Sequence, residues 1–275
     1  MKQKVALVLA SGGARGWAHI GAIEELEAQG FEITSIAGAS VGALVGGMYA
    51  AGNLGIFKDW LLTIDRKKMF SLIDLSIGRN HLVKGAKIME AFHELAPDSF
   101  IEDLSIPYVA VASDLCSGKE VVFNQGSLYS AIRASISIPS VFAPVNMDNK
   151  VLVDGGVLNP LPLSRVKRTP GDILVAVNLS AHKDDQLEQY KMKLKSKNKK
   201  RGVEFSVEKS HVTILNEISS LMVQQMVELS AQIYKPDLMV NIPMNRYNSF
   251  DYDKVAKISN QGKMLMRKAL DKYKL

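Results

Sequence analysis

The sequence predicts an α/β fold: a three-layer α/β/α sandwich around a central, mostly parallel sheet. Three observations carry that expectation. VALVLA (5–10) and DILVAVNLS (172–180) are unbroken apolar runs, the pattern of strands covered on both faces. Strand-like and helix-like segments alternate along the chain. The connections run to a dozen or more residues, enough for the crossovers that parallel neighbours need. At 275 residues the chain is long for one domain, yet sheets with helices on both faces reach this size, so a single domain is expected. With 47% apolar and 23% charged residues, it can bury a large core.

Taken in order, the run 5–10 is a buried strand that ends in the turn SGGARG (11–16). A helix follows to about Gln29 and is closed by Gly30. A second strand spans 33–37, and a helix rich in Ala and Gly covers 41–51. PYVAVASDL (107–115) and EVVFN (120–124) are strands, 128–135 is helical, and VLVD (151–154) is a strand end. After the strand at 172–180, DLMVNIP (237–243) supplies the last one, with helices over 214–234 and 252–273. The region of Met222 and Met226 either lines an acyl-chain groove, forms a lid or is an ordinary amphipathic core helix. No internal repeat is visible.

Two segments imitate membrane or export signals. Lys2 and Lys4 precede an apolar run of only six residues, shorter than a signal peptide requires. Residues 33–57 are uncharged for 25 positions and place Gly38, Gly42 and Gly46 at GxxxG spacing. Six of those positions are Gly, so the transfer gain is small, and the pattern divides at Ser40 into strand and helix. Cys116 is the single cysteine, read as a small buried hydrophobe; the chain forms no internal disulfide, which fits a cytoplasmic protein.

The formal net charge of +6 is local. From Lys191 to Arg201, KMKLKSKNKKR holds seven basic residues and no acid, leaving 27 basic against 28 acidic elsewhere. A solvated loop is the first reading of this run, and peripheral contact with an anionic membrane the second. Interleaved aromatics for base stacking are missing, so no nucleic acid is expected.

GASVG (38–42) matches GxSxG, in which a serine occupies a sharp strand-to-helix turn with its hydroxyl presented. Chance alone supplies the pattern in about one chain of this length in ten, so the context decides its weight. Here a strand precedes it and a helix follows. Gly38 and Gly42 relieve crowding at the bend, and the helix N-terminus favours a developing oxyanion. Small residues that merely let helix and sheet approach are the bland alternative.

A serine nucleophile needs a base. None of the five histidines, His19, His81, His93, His182 and His211, has a supporting motif. Asp154 ends a strand and precedes Gly155 and Gly156; it is either a turn-forming Asp or a carboxylate whose burial would raise its basicity. The turn SGGARG lacks the GK[ST] of a phosphate loop and the acid of a dinucleotide site, which leaves an oxyanion hole with Gly12 and Gly13 as donors. Arg15 either supports that loop or meets an anionic headgroup. No metal is called for, since HExxH, clustered Cys and acidic calcium loops are all missing.

SGGARGWAHIG, GASVG, AIRASISIPSVFAPV and DGGVLNPLP, in this order and approximate spacing, resemble the bacterial patatin-like phospholipases, relatives of plant patatin and the neuropathy target esterase catalytic domain. The resemblance covers about residues 4–180. It implies a patatin-like fold, Ser40 as nucleophile, Asp154 as base in a dyad without histidine, and no cofactor. It also implies Gly12 and Gly13 as oxyanion donors, with Arg15 and Gly16 supporting their loop. The substrate implied is a lipid or lysophospholipid, and Phe57, Trp60, Leu61, Leu62, Met69 and Phe70 either line its acyl chain, form a lid or belong to a core helix. One departure is Ser11, where the family usually has glycine. An α/β-hydrolase triad is disfavoured because one strand alone precedes the serine's own. An acyltransferase with the same dyad, and a regulatory membrane-binding protein with a vestigial site, stay open.

Overall fold

The computed structural model describes residues 2–65, 67, 68, 71, 85–139, 141–182 and 211–273. Its strands are β1 (Lys4–Leu9), β2 (Glu32–Ala39), β3 (Tyr108–Asp114), β4 (Lys119–Phe123), β5 (Val145–Met147), β6 (Lys150–Asp154), β7 (Asp172–Ala181) and β8 (Leu238–Pro243). Hydrogen bonds link them along the path β5-β6-β3-β2-β1-β7-β8, with β4 also paired to β3. Neighbours from β3 through β8 are parallel, as the buried runs predict. The remainder is antiparallel, so the sheet is mixed. Connection length explains the difference. A turn over 115–118 joins β3 to β4, and Asp148 and Asn149, at φ 50° and 60°, join β5 to β6; neither can host a crossover.

The helices are α1 (Trp17–Ala28), α2 (Val41–Ala50), α3 (Leu54–Thr63), α4 (Ala86–Leu95), α5 (Leu128–Ser135), α6 (His211–Tyr234) and α7 (Val255–Tyr273). Right-handed crossovers from β1 to β2 and from β2 to β3 step one way across the sheet, which puts α1 and α2 on one face. The step from β7 through α6 to β8 runs the other way and puts α6 on the opposite face. The sandwich expected from alternation is therefore present. On the first face α7 packs on α1 with backbones in contact: a Cβ at Gly21 would lie 1.8 Å from the Ser259 carbonyl oxygen. Arg267 of α7 closes this contact on the buried Glu25 of α1, with Nε 2.7 Å from Oε1 and the second guanidinium nitrogen 3.0 Å from Oε2.

Residues 33–57 divide into strand and helix, with β2 and α2 buried in the core. No described helix is long and apolar enough to cross a membrane. Two core assignments are corrected. Cys116 is exposed, because it lies in the β3–β4 turn whose backbone N–H groups bond to Asp114. Met222 is 61% exposed on the outer side of α6, while Val227 and Gln224 take the inner side.

The topology also sets the site. β4 pairs with Ala110–Asp114 of β3, overlapping both the β2 pairing at Tyr108–Val111 and the β6 pairing at Ala112–Asp114. A strand has two edges, so β2 and β6 must share the other edge of β3 in succession. Asp154, opposite Ala112, therefore ends next to where β2 gives way to Ser40.

Candidate active site

Ser40 is the N-cap of α2, with φ 54° and ψ −125°, a conformation that few residues other than glycine adopt. The bend holds because its neighbours have no side chain. A Cβ on Gly38 would lie 2.4 Å from the Gly42 carbonyl carbon, and one on Gly42 would lie 2.1 Å from the Leu9 carbonyl oxygen. The Ser40 N–H donates to Ser135 Oγ at 2.9 Å, and that hydroxyl donates onward to the Val111 carbonyl at 2.7 Å. Ser135 on α5 thus ties the bend to β3.

The Ser40 hydroxyl donates to Asp154 Oδ2 at 2.5 Å, and both residues are buried. Asp154 Oδ1 accepts the Gly156 N–H at 2.7 Å. Its backbone is held by Ser137, whose carbonyl accepts the Asp154 N–H at 2.9 Å, and by Ser113, whose hydroxyl donates to the Asp154 carbonyl at 3.0 Å. Burial pushes the carboxyl up to about 6, against the lowering effect of the Ser40 and Gly156 hydrogen bonds. Both of these hydrogen-bond partners are neutral donors. A carboxylate poised in this range is matched to taking a proton from a hydroxyl near neutral pH.

The turn after β1 faces the same corner. Gly13 has φ 58°, and a Cβ there would lie 2.6 Å from the Ser249 carbonyl oxygen. Ala14 N–H donates to that same carbonyl at 2.9 Å, and Ser11 N–H donates to the Pro160 carbonyl at 2.9 Å. The Gly12 and Gly13 N–H groups meet no acceptor among the described residues. Arg15 turns inward: Nε donates to the Gly12 carbonyl at 3.2 Å and a terminal nitrogen to the Met244 carbonyl at 3.0 Å. Burial lowers the guanidinium to about 10, still charged at neutral pH. It braces the loop and is not presented to a headgroup. Gly16 makes room for Val41, whose side chain would lie 2.2 Å from a Cβ. Ser11, the departure from the usual glycine, is buried against Gly156.

An uncharged cavity opens beside Ser40 and Gly13. Trp17, Val41 and Leu44 form one wall, Phe57, Trp60 and Leu61 of α3 meet Ile88 and Phe92 of α4 on another, and Ile136, Ile138, Phe142 and Tyr252 complete the lining. Phe57, Trp60 and Phe92 pack ring on ring with centroids 5.9 to 6.1 Å apart. The inner side of α3 is thus both core and cavity wall, while Leu62 is exposed on the outer side. Met69 and Phe70 lie outside the described residues.

His19, His93 and His182 have other partners than Ser40 and Asp154. His19 is fully buried and donates from Nε2 to the Ala10 carbonyl at 2.9 Å; burial lowers it to about 4, so it is neutral. His93 packs against Tyr129, and His182 pairs with Glu228. His81 lies outside the described residues. Among the described residues no group of three or more His, Cys, Asp or Glu is placed to hold a metal ion.

Sequence reasoning missed three contributors. Ser135 and Ser137 lie within the block AIRASISIPSVFAPV, which carried the resemblance but no stated role. The stretch 244–252 after β8, which supplies the Met244 and Ser249 carbonyls and Tyr252, had no sequence signal. Burial and the Asp154 charge push the Tyr252 hydroxyl up to about 12.

The patatin-like phospholipase family model matches residues 7–166, more than half of the chain, and spans the glycine loop, the Ser40 bend and Asp154. The chain belongs to the patatin-like phospholipase family. An uncharacterized NTE family protein of Mycobacterium tuberculosis is 46% identical over 177 residues, covering 64% of this chain and 49% of that protein. Human patatin-like phospholipase domain-containing protein 6 is 28% identical over 193 residues, covering 68% of this chain and 14% of its own length. Drosophila melanogaster neuropathy target esterase sws matches at the same identity and coverage. The chain thus spans about half the length of the mycobacterial relatives it matches and a smaller part of the animal ones. The stretch 244–252 lies beyond the matched residues.

Proposed function

We propose that this chain hydrolyses acyl esters of lipids, as a phospholipase A or lysophospholipase, through an acyl-enzyme on Ser40. The observation that carries the reading is the 2.5 Å bond between Ser40 Oγ and Asp154 Oδ2 at the N-terminus of α2, beside an uncharged cavity. In the first step Asp154 takes the hydroxyl proton as Ser40 Oγ bonds to the ester carbonyl carbon. The negative charge that develops on the carbonyl oxygen is met by the Gly12 and Gly13 N–H groups and by the positive end of α2. Collapse of the tetrahedral species breaks the bond to the leaving alcohol, which receives the proton from Asp154. A water then repeats the sequence: Asp154 accepts its proton, the hydroxide oxygen attacks the acyl carbon, and Ser40 leaves with the proton returned.

The cavity wall formed by α3 and α4 would hold the acyl chain, with no charge to desolvate. The basic run at 191–201 lies outside the described residues; its sequence charge supports contact with anionic headgroups. Neutralising it should weaken binding to anionic vesicles and leave turnover of a monomeric ester unchanged.

The decisive experiment uses a fluorophosphonate probe. Intact mass should rise by one phosphonyl adduct, and peptide mapping should place it on Ser40. The Ser40→Ala chain should stay unlabelled; equal labelling of both would remove Ser40 from the reaction.

A further inference from the structure

Two of the described side chains that line the cavity carry a hydroxyl, Ser40 and Tyr252. Ser40 is engaged with Asp154, whereas the Tyr252 hydroxyl makes no hydrogen bond among the described residues. The Trp17 indole N–H is also without a partner, but it is sealed from water-sized space, which leaves the Tyr252 hydroxyl as the open donor. An open donor in an otherwise apolar wall points to a polar atom in whatever the cavity binds.

Packing fixes where that donor stands. Tyr252 follows a turn knit to itself: the Asn248 N–H donates to Asp251 Oδ2 at 2.9 Å, the Phe250 N–H to Asn248 Oδ1 at 3.0 Å, and the Asp251 N–H to the Asn248 carbonyl at 3.1 Å. The Ser249 carbonyl that accepts the Ala14 N–H belongs to the same turn, so Tyr252 and the glycine loop are held together. Its ring continues a series in which Phe57 lies 6.2 Å from Trp17, Trp17 lies 6.3 Å from Tyr252 and Tyr252 lies 6.4 Å from Phe250, centroid to centroid. Exposure rises along it, from 1% at Phe57 and 4% at Trp17, through half-buried Tyr252, to 50% at Phe250. Tyr252 therefore stands on the surface side of Trp17, away from the acyl wall.

An ester with its acyl chain against Phe57 and its carbonyl at Ser40 keeps its alcohol half on that outer side. Its carbonyl oxygen is met by the Gly12 and Gly13 N–H groups, and its leaving oxygen receives the proton of Asp154. The next acceptor along the alcohol is an oxygen on the neighbouring carbon. Burial and the Asp154 charge keep the phenol protonated, so it meets that oxygen as a donor.

We propose that Tyr252 is a specificity residue, whose hydroxyl donates to an oxygen on the carbon beside the scissile ester and so favours esters of polyols such as glycerol over esters of simple alcohols. The proposal rests on the seating of the acyl chain assigned above, and the matched residues 7–166 stop short of Tyr252.

Two substrates with the same acyl chain and the same three-carbon alcohol skeleton test it: monodecanoylglycerol and propyl decanoate. Tyr252→Phe should lower the ratio of their kcat/KM values by about 5- to 10-fold, chiefly through KM of the glycerol ester. An unchanged ratio, including an equal loss on both esters, would overturn the inference. Binding is read apart from turnover, because Trp17 and Trp60 are the only tryptophans of the chain and both line the cavity. In the Ser40→Ala chain, adding Tyr252→Phe should weaken decylglycerol ether by about 5- to 10-fold relative to decyl propyl ether, followed by tryptophan fluorescence. Absence of turnover and of fluorophosphonate labelling, with this binding difference present, would remove the hydrolase reading and keep Tyr252 as the polyol contact. Turnover at Ser40 with no binding difference would keep the hydrolase and remove Tyr252.

Discussion

Asp154 and Glu25 are both buried carboxyls on the same molecule, and their surroundings drive them in opposite directions. Glu25, where α1 meets α7, is held below the ordinary carboxylate range by the Arg267 guanidinium, which outweighs the cost of burial. Asp154 is surrounded by neutral donors, and burial pushes it up to about 6. The first is fixed as an anion and joins two helices. The second can change its proton near neutral pH. Burial alone does not set the direction of a carboxyl's shift; the presence or absence of a neighbouring cation does.

The comparison breaks most directly at Asp154. Asp154→Asn should keep the fold and lower kcat by about 10³- to 10⁴-fold, the scale of a general base. In the wild type, kcat/KM should rise with pH through an apparent value of about 6, because the ionised form is the base. A flat profile through that range, or a variant with near-normal kcat, would make Asp154 a turn residue.

The donors are the next test. Gly13→Ala forces a side chain into positive φ and toward the Ser249 carbonyl, so the loop must shift. Loss of one donor should lower kcat by about 10²- to 10³-fold with little change in KM. An equal rise in KM alone would assign the loop to binding.

Stability sharpens the contrast further. The native Asp154 carboxyl binds its proton more tightly than the unfolded one, so its ionisation destabilises the fold as pH rises from about 4 to about 6. Above that window the charge costs about 3 kcal/mol. Asp154→Asn should therefore raise Tm near neutral pH, and the gain should vanish near pH 4. Equal Tm at both pH values would place the carboxyl in a better-solvated setting.

The smallest effect is expected at the other carboxyl. Arg267→Ala should lower Tm at neutral pH without changing turnover. Because Glu25 is held low in the fold, its contribution is present above the ordinary carboxylate range and fades as pH falls through the lowered value. A variant with intact Tm would show that the exposed arginine adds little to α1–α7 packing.

Much of this was legible along the chain. VALVLA and DILVAVNLS mark two parallel strands through continuous apolarity, and GASVG marks a strand-to-helix bend because only small residues fit one. The short β5 was not legible, since three half-exposed residues leave no periodic trace. The sheet's antiparallel end rests on Asp148 and Asn149, a local turn signal outweighed by the alternation elsewhere. Cys116 was assigned inward from residue type, whereas its turn decides its exposure. The core reading of the 222–226 region fails at Met222, which is exposed, whereas Met226 is half-buried. Spacing gives a helix its apolar stripe but not the direction the stripe faces.

Local sequence by itself determined where the chain bends and which residue types stand at the bends: Ser40 between glycines, Asp154 at a strand end, glycines at 12 and 13. Those are consequences of sterics within a few neighbours. Only tertiary structure decided that β2 and β6 occupy one edge of β3 in succession, bringing positions 114 residues apart into a 2.5 Å hydrogen bond. It also decided that the Ser249 and Met244 carbonyls hold the glycine loop. Long-range pairing depends on which strand edges remain free, and no single segment carries that information.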